Sequence, residues 1–481
     1  MTDRVTTDTL AARATARVAH HRQRGFAMLP RTLLLCLGLL TAGCATVPLE
    51  DTPTRGHIAD STLPPVKAFS TPRPQAPSRS NANIAQDFLD LHFQLESGRA
   101  LPALTRFETP ITLRVTGQAP TSLAPDLRRL LSRLRTEAGV PITQVTGDQA
   151  NITIEVVTRA EIRRALPHAA CFVVPNVSSL REYRQKRRSA QTDWSKLQGR
   201  DRLAIFVPGD ASPQELRDCL HEELAQAIGP LNDLYRLPDS VFNDDNVHTV
   251  LTGFDMLVLR VTYAPELRTG MTRDQVAARL PAILARENPR GQGLRAVTIQ
   301  PTTRDWINAV QTALGPGTDP GTRRNAATSA ARISQARGWG DHRSAFSLYM
   351  LGRMTQGFDP DVAQQQYAAA LRDLSARSGT DLHRAYVTTQ TAAYAIATGD
   401  GATALQQIAP MLPVARRHEN AALLSTLMLL QAEAYDLTGR AEQAQAVRLD
   451  SLGWARYGFG SDWAVRAKMQ EIAALNPLRG F

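Results

Sequence analysis

Between residues 110 and 210 apolar and polar positions alternate in short runs; further along they recur at helical spacing. Ile111-Thr-Leu-Arg-Val-Thr116 has the period of two that a half-buried strand requires. Ile142-Thr-Gln-Val145, Ile152-Thr-Ile-Glu-Val-Val157 and Leu203-Ala-Ile-Phe-Val207 read as three more strands. Leu127-Arg-Arg-Leu-Leu-Ser-Arg-Leu134 has helical spacing behind Pro125. Pro213 opens a second long helix that runs to about Ile228, where Gly229-Pro230 stops it. Leu220, Leu224, Ala227 and Ile228 form an apolar stripe along that helix, so it packs on a core. The charge run Arg181-Glu-Tyr-Arg-Gln-Lys-Arg-Arg188 reads as a solvated loop, with ligand binding as the alternative.

After about residue 300 the strand pattern ends. From about 340 to 475 the chain is rich in Ala and Leu, with helix stops near every twentieth residue. Ala363, Ala404 and Ala444 recur at about forty residues, small residues where paired helices need close approach. The segment resembles tetratricopeptide-type helix pairs; an irregular helical bundle is the alternative. The fold expected is therefore an α+β domain with a mixed sheet and two long helices over 84–295, followed by an all-α helical-repeat domain over 296–481.

The beginning of the chain has a different character. Arg31 precedes the apolar run Thr32-Leu-Leu-Leu-Cys-Leu-Gly-Leu-Leu40 and the small residues Thr41-Ala42-Gly43 ahead of Cys44. The run is too short to span a bilayer, which takes about 20 apolar residues, but it has the proportions of a secretory signal. Small residues before a cysteine resemble the lipobox of bacterial lipoproteins, which implies lipid on Cys44; an ordinary cleaved signal is the alternative. Met28 gives a signal of normal length and is read as the true start of the 1–43 segment. Ala45 after the lipid-bearing cysteine favours, by resemblance to Gram-negative sorting rules, the inner leaflet of the outer membrane, facing the periplasm. Residues 44–83, rich in Pro, Thr and Ser, read as an extended tether.

Composition narrows the classes. With 43% hydrophobic and 21% charged residues the chain of 481 is globular, and its length suggests two or three domains. Residues 1–43 carry six arginines against two aspartates, which leaves about +6 of the formal +10 on the mature part. That mild excess, almost all Arg, fits genomic base composition better than a nucleic-acid surface, and predicts only weak, salt-dependent contact with peptidoglycan. Of four cysteines, Cys36 leaves with the signal and Cys44 takes lipid. Cys171 and Cys219 remain and, in an oxidising compartment, are expected to pair, two buried thiols being the alternative.

Candidate chemistry is concentrated in Cys219-Leu-His-Glu222-Glu223-Leu-Ala-Gln226-Ala-Ile-Gly229-Pro-Leu-Asn232-Asp233. Glu222 and Gln226 are four apart and share a helix face, with Glu223 beside them. Registered on Gly229, this resembles the zinc-binding helix of matrixin-type metzincins. The three histidine positions hold Glu222, Gln226 and Asn232, and Glu223 keeps the place of the general base. Ser240-Val241-Phe242 falls at the methionine turn, and Asp255 and Tyr263 fall on the closing helix, so the resemblance implies that the 84–295 domain is a degenerate zincin-like one. A closer resemblance is to uncharacterised bacterial exported proteins with a Glu-Glu-x-x-Gln-x-x-Gly-x-x-Asn-Asp core, matched here from Glu222 to Asp233 and onward to Pro265 and Gly270-Met271. That resemblance implies no activity.

Amide oxygens are poor zinc ligands. No catalytic metal and no cofactor are expected. His221, one residue out of register, reads as a surface or outlying residue, and His221 and His248 form no His-x3-His pair. Glu222, Glu223, Gln226, Asn232 and Asp233 are expected either to satisfy one another as structural cement or to bind a peptide or a harder cation with Asp244 and Asp245. The function expected is a metal-free binding or scaffold module on an envelope lipoprotein, docking a protein partner through the helical repeats. The alternatives are a peptide or peptidoglycan hydrolase with Glu223 as general base, and a structural link between outer membrane and cell wall.

Overall fold

The computed structural model describes residues 61–69 and 74–479; the expected signal, the expected start at Met28 and the expected lipidation site Cys44 lie outside them. Helix α1 (Asn81–His92), which the hydrophobic pattern did not reveal, begins the α+β part. There follow β1 (Ile111–Gly117), α2 (Leu123–Glu137), β2 (Ile142–Gln144), β3 (Ile152–Val157), α3 (Arg159–Ala165), β4 (Phe172–Pro175), α4 (Leu180–Lys186), β5 (Leu203–Pro208), α5 (Pro213–Ile228), α6 (Gly253–Thr262), α7 (Arg273–Ala277) and α8 (Leu280–Glu287). The sheet order is β2-β1-β3-β5-β4, parallel except for β4, which runs antiparallel to β5. The mixed sheet and the two long helices, α2 and α5, are as expected; β4 is an added fifth strand.

Burial explains the arrangement. In β5, Leu203, Ile205 and Val207 enter the main core with α1, α2, α5, α6 and α8, while Ala204 and Phe206 enter a second cluster with α3, α4 and β4. Alternation puts successive side chains on opposite faces, and helices cover both faces here, so β5 is apolar throughout. The 181–188 charge run is not a loop: Ser179 caps α4 by accepting from the Glu182 amide, and Glu182 pairs with Lys186 one turn on. Charged residues at that spacing support a helix as readily as a loop.

The remaining elements are helices: α9 (Arg304–Leu314), α10 (Pro320–Ala336), α11 (His342–Thr355), α12 (Pro360–Ser375), α13 (Asp381–Ala397), α14 (Gly401–Ile408), α15 (Met411–Arg417), α16 (Ala421–Leu437), α17 (Ala441–Phe459) and α18 (Asp462–Ala473). They form successive hairpins, α11 with α12, α13 with α14 and α16 with α17, each packing on the next. Ala363, Ala404 and Ala444 are all fully buried, and each is the fourth residue of the second helix of its hairpin. Close approach is literal in the first pair: a Cβ on Gly352 would lie 2.5 Å from the Tyr367 ring.

The two parts share a polar seam. Tyr457 of α17 donates to Asp126 of α2 at 2.6 Å, Arg217 of α5 donates to the Glu419 carbonyl at 2.8 Å, and Gln214 accepts from the Ala422 amide at 2.9 Å. The described residues of the tether also depart from expectation. Phe69 stacks on Trp454 with 4.6 Å between ring centres, the Lys67 amide donates to the Gly453 carbonyl, and Arg456 donates to the Pro64 carbonyl. A proline-rich strand loses little conformational freedom when it lies down, and Phe69 supplies apolar area to hold it. No helix among the described residues is long and apolar enough to cross a membrane.

Candidate functional site

Helix α5 carries the motif, and its ends are fixed by identifiable contacts. Ser212 accepts from the Glu215 amide ahead of Pro213, a cap whose loss costs about 1 kcal/mol. At the other end, buried Arg200 donates to the carbonyls of Gln226 (2.7 Å), Ala227 (2.8 Å) and Gly229 (2.5 Å), and Tyr263 donates to the Ile228 carbonyl at 2.9 Å. A cation at a helix C-terminus satisfies carbonyls that have no intrahelical donor. Burial lowers the Arg200 guanidinium to about 10. Gly229 is glycine because the helix end touches α6: a Cβ there would lie 2.6 Å from Leu259 Cδ2.

The other matched residues lock α6. Asp255 accepts from Ser240 Oγ at 2.5 Å, from the Val241 amide at 3.2 Å and from the Thr252 amide at 2.7 Å. It thereby ties the Ser240-Val241-Phe242 turn to the capping box of α6, and Phe242 is fully buried beneath. Asp255 and Tyr263 are thus structural fasteners here.

Glu222, Glu223, Gln226 and Asp233 come together on one cavity of about 620 Å³, with Glu96 from the loop after α1, Asp244, Trp194 and the Cys171 wall. Cys171 and Cys219 are disulfide-bonded, as expected, and join the segment before β4 to α5. Asn232 does not join them. Its amide donates to the Asp90 carbonyl at 2.9 Å, so it pins the chain after α5 to α1. Gln226 Nε2 donates to Asp233 Oδ2 at 3.1 Å. Glu222, Gln226 and Asn232, the positions expected to correspond to zinc-binding histidines, therefore present one carboxylate and two committed amides, a set that does not fit a zinc ion.

Electrostatics make the cavity a reservoir of protons. Burial, then the charges of Asp244, Glu96 and Asp218, push Glu222 up to about 8. Burial first and Glu222 second raise Glu223 and Asp233 well above the usual carboxylate range. Burial, Glu96 and Asp245 raise Asp244 to about 6. Asp233 Oδ1 is buried and has no hydrogen-bond partner among the described residues. Like charges in a buried cleft disfavour joint ionisation, so a cationic guest would be drawn in and would release protons.

The neighbouring residues are distributed differently from expectation. His221 is not at the surface: it is buried, its Nδ1 accepts from the Leu251 amide at 3.1 Å, and burial holds it well below the usual imidazole range. It faces away from Glu222 because consecutive helix positions differ by about 100°. Asp245, adjacent to Asp244 in sequence, leaves the cleft and meets His383 of α13 at 2.8 Å. Glu96, Trp194 and Arg200 were missed by sequence reasoning. They lie outside the motif, and Arg200 carries no signal beyond its charge.

The fold and cleft define an α+β domain, built around a capped central helix with an acid-lined cavity, continued by helical hairpins. Residues 81–282 match the family described as Protein of unknown function (DUF2927), the level at which the expected kinship with an uncharacterised domain is met. No curated protein and no solved structure matches the chain.

Proposed function

We propose that this chain is a lipid-anchored protein of the bacterial envelope that binds rather than cuts: a zincin-like domain without its metal, joined to tetratricopeptide-like hairpins that dock a protein partner. The observation that carries the reading is the commitment of Gln226 to Asp233 within the cavity and of Asn232 to the Asp90 carbonyl outside it, which ties up two of three ligand positions with protein partners. The acid lining supports a positively charged segment as the guest of the cleft. The in-register Ala363, Ala404 and Ala444 support the repeat, whose concave faces ordinarily take proteins.

The test is turnover. Detergent-solubilised full-length protein is incubated with fluorogenic peptides and with purified peptidoglycan, with and without added zinc. No hydrolysis above background is expected. Hydrolysis that Glu223→Gln abolishes would establish the hydrolase alternative and overturn the binding reading.

A further inference from the structure

A second cluster of chemistry lies outside the cleft, where the loop after α5 meets the helical hairpins. Asp245 stands in that loop and is held from both sides. Its Oδ1 accepts from the Val247 amide at 3.0 Å, and its Oδ2 accepts from Asn243 Nδ2 at 2.9 Å and faces His383 Nε2 at 2.8 Å. His342 is the first residue of α11 and His383 the third of α13. Their rings lie 5.4 Å apart, centre to centre.

Both imidazoles are more than nine-tenths buried, at 3% and 5% exposure, and each has a ring nitrogen without a partner: Nε2 of His342 and Nδ1 of His383. A buried polar atom left unpaired is costly, and the unpaired Nε2 of His342 marks a missing partner beside the pair that His383 makes through Nε2, not through its unpaired Nδ1, with Asp245. One potential ligand atom from each of Asp245, His342 and His383 lies within 4.8 Å of the others.

We propose that Asp245, His342 and His383 form a binding site for a divalent transition metal of the zinc type, which clasps the loop after α5 to the first turns of α11 and α13. Two imidazoles and one carboxylate suit zinc and its neighbours, and are a poor set for calcium or magnesium, which want oxygen alone. One negative charge against a dication gives the right electrostatic sign. Asp245 is already oriented by its Asn243 and Val247 contacts, as supporting bonds orient ligands in metal sites. Ligand atoms around tetrahedral zinc sit about 3.3 Å apart given bonds of about 2.0 Å, so the Asp245–His383 pair must widen by about half an ångström. His342 also lines a cavity of about 430 Å³ with Pro238, Gln300 and Thr380, which gives an ion a route in and water a place in the remaining coordination position. The site shares no residue with the cleft and does not depend on the binding reading.

The experiment uses detergent-solubilised full-length protein, stripped with chelator and titrated with zinc chloride or cobalt(II) chloride. One zinc per chain is expected, with a rise of several degrees in the unfolding midpoint and visible ligand-field bands for the cobalt form. His342→Gln and His383→Gln should each weaken zinc binding at least tenfold, while Glu222→Gln with Asp233→Asn in the cleft leaves it unchanged. If a histidine variant fails to fold, the cobalt spectrum of the unaltered protein decides: bands of four-coordinate cobalt with mixed nitrogen and oxygen ligands support the site, and their absence overturns it. Failure to bind zinc at micromolar concentration also overturns it. Zinc lost on the cleft substitutions but kept in His342→Gln would move the ion to the cleft, and would count against the metal-free reading as well.

Discussion

Gln226 donates its side-chain amide to Asp233 across 3.1 Å, two residues of the 222–233 segment bonded to each other inside the cavity they line. The bond is the sole hydrogen bond that a side chain of the motif helix makes to Asp233 among the described residues, and the other Asp233 oxygen has no partner. Gln226→Ala should therefore destabilise the fold by roughly 1–3 kcal/mol, the cost of leaving a buried acceptor unsatisfied. Urea unfolding measures it, and an unchanged midpoint would show that the pair carries no weight.

Stability should fall as pH rises through the neutral range. Glu222 ordinarily titrates near 4.5 and in the fold is pushed up to about 8 by burial and by neighbouring acids. A carboxyl raised in this way contributes stability that is fully present below about pH 4.5 and is lost as pH rises through about 8. The melting midpoint at pH 6 should exceed that at pH 8.5, with Glu222→Gln flattening the difference. An unaltered slope in that variant would place the proton elsewhere.

Removing the bridge between Cys171 and Cys219 by double substitution to serine should cost roughly 2–4 kcal/mol. The cross-link closes a separation of 48 residues, and in the chain-entropy account that limits the unfolded ensemble by up to about 4 kcal/mol. Denaturant titration of oxidised and substituted protein gives the difference directly.

The seam between the two parts should contribute to a single cooperative transition. Tyr457→Phe removes the 2.6 Å bond to Asp126, which is buried and, among the described residues, keeps only its partner Arg129. A loss of about 1–2 kcal/mol is expected. Calorimetry that resolves two transitions in the variant and one in the parent would assign the cooperativity to this contact.

Attachment is testable without purification. Cys44→Ser should move the protein from the membrane pellet to the soluble fraction of lysed cells, and metabolic labelling with an alkyne fatty acid should label only the parent. Retention of Cys44→Ser in a salt-washed pellet would argue for a protein or cell-wall tether instead.

Periodicity carried the strands β1, β2 and β3 and the helices α2 and α5, where burial of a face enforces a repeating pattern, while β5, buried on both faces, was legible as a short continuous apolar run. It missed β4, a short strand of four residues, and α1, where Asn83, Asp87 and His92 are buried alongside Ile84, Phe88 and Leu91. Buried polar residues blur an apolar stripe. Asp87 illustrates the cause: it lies in an ion-paired pocket with Arg79, just ahead of the helix, and with Arg236, which a distant segment supplies.

The motif, the cysteine pair and the forty-residue spacing of small residues belong to the sequence, because each rests on local spacing or on the fixed chemistry of a side chain. The direction in which each motif residue faces was settled only in three dimensions. Asn232 turned to the backbone of α1, His221 turned inward to Leu251, and neighbouring Asp244 and Asp245 parted to different sites. Those choices depend on donors and acceptors supplied by remote segments, and a buried polar group goes where a partner is found.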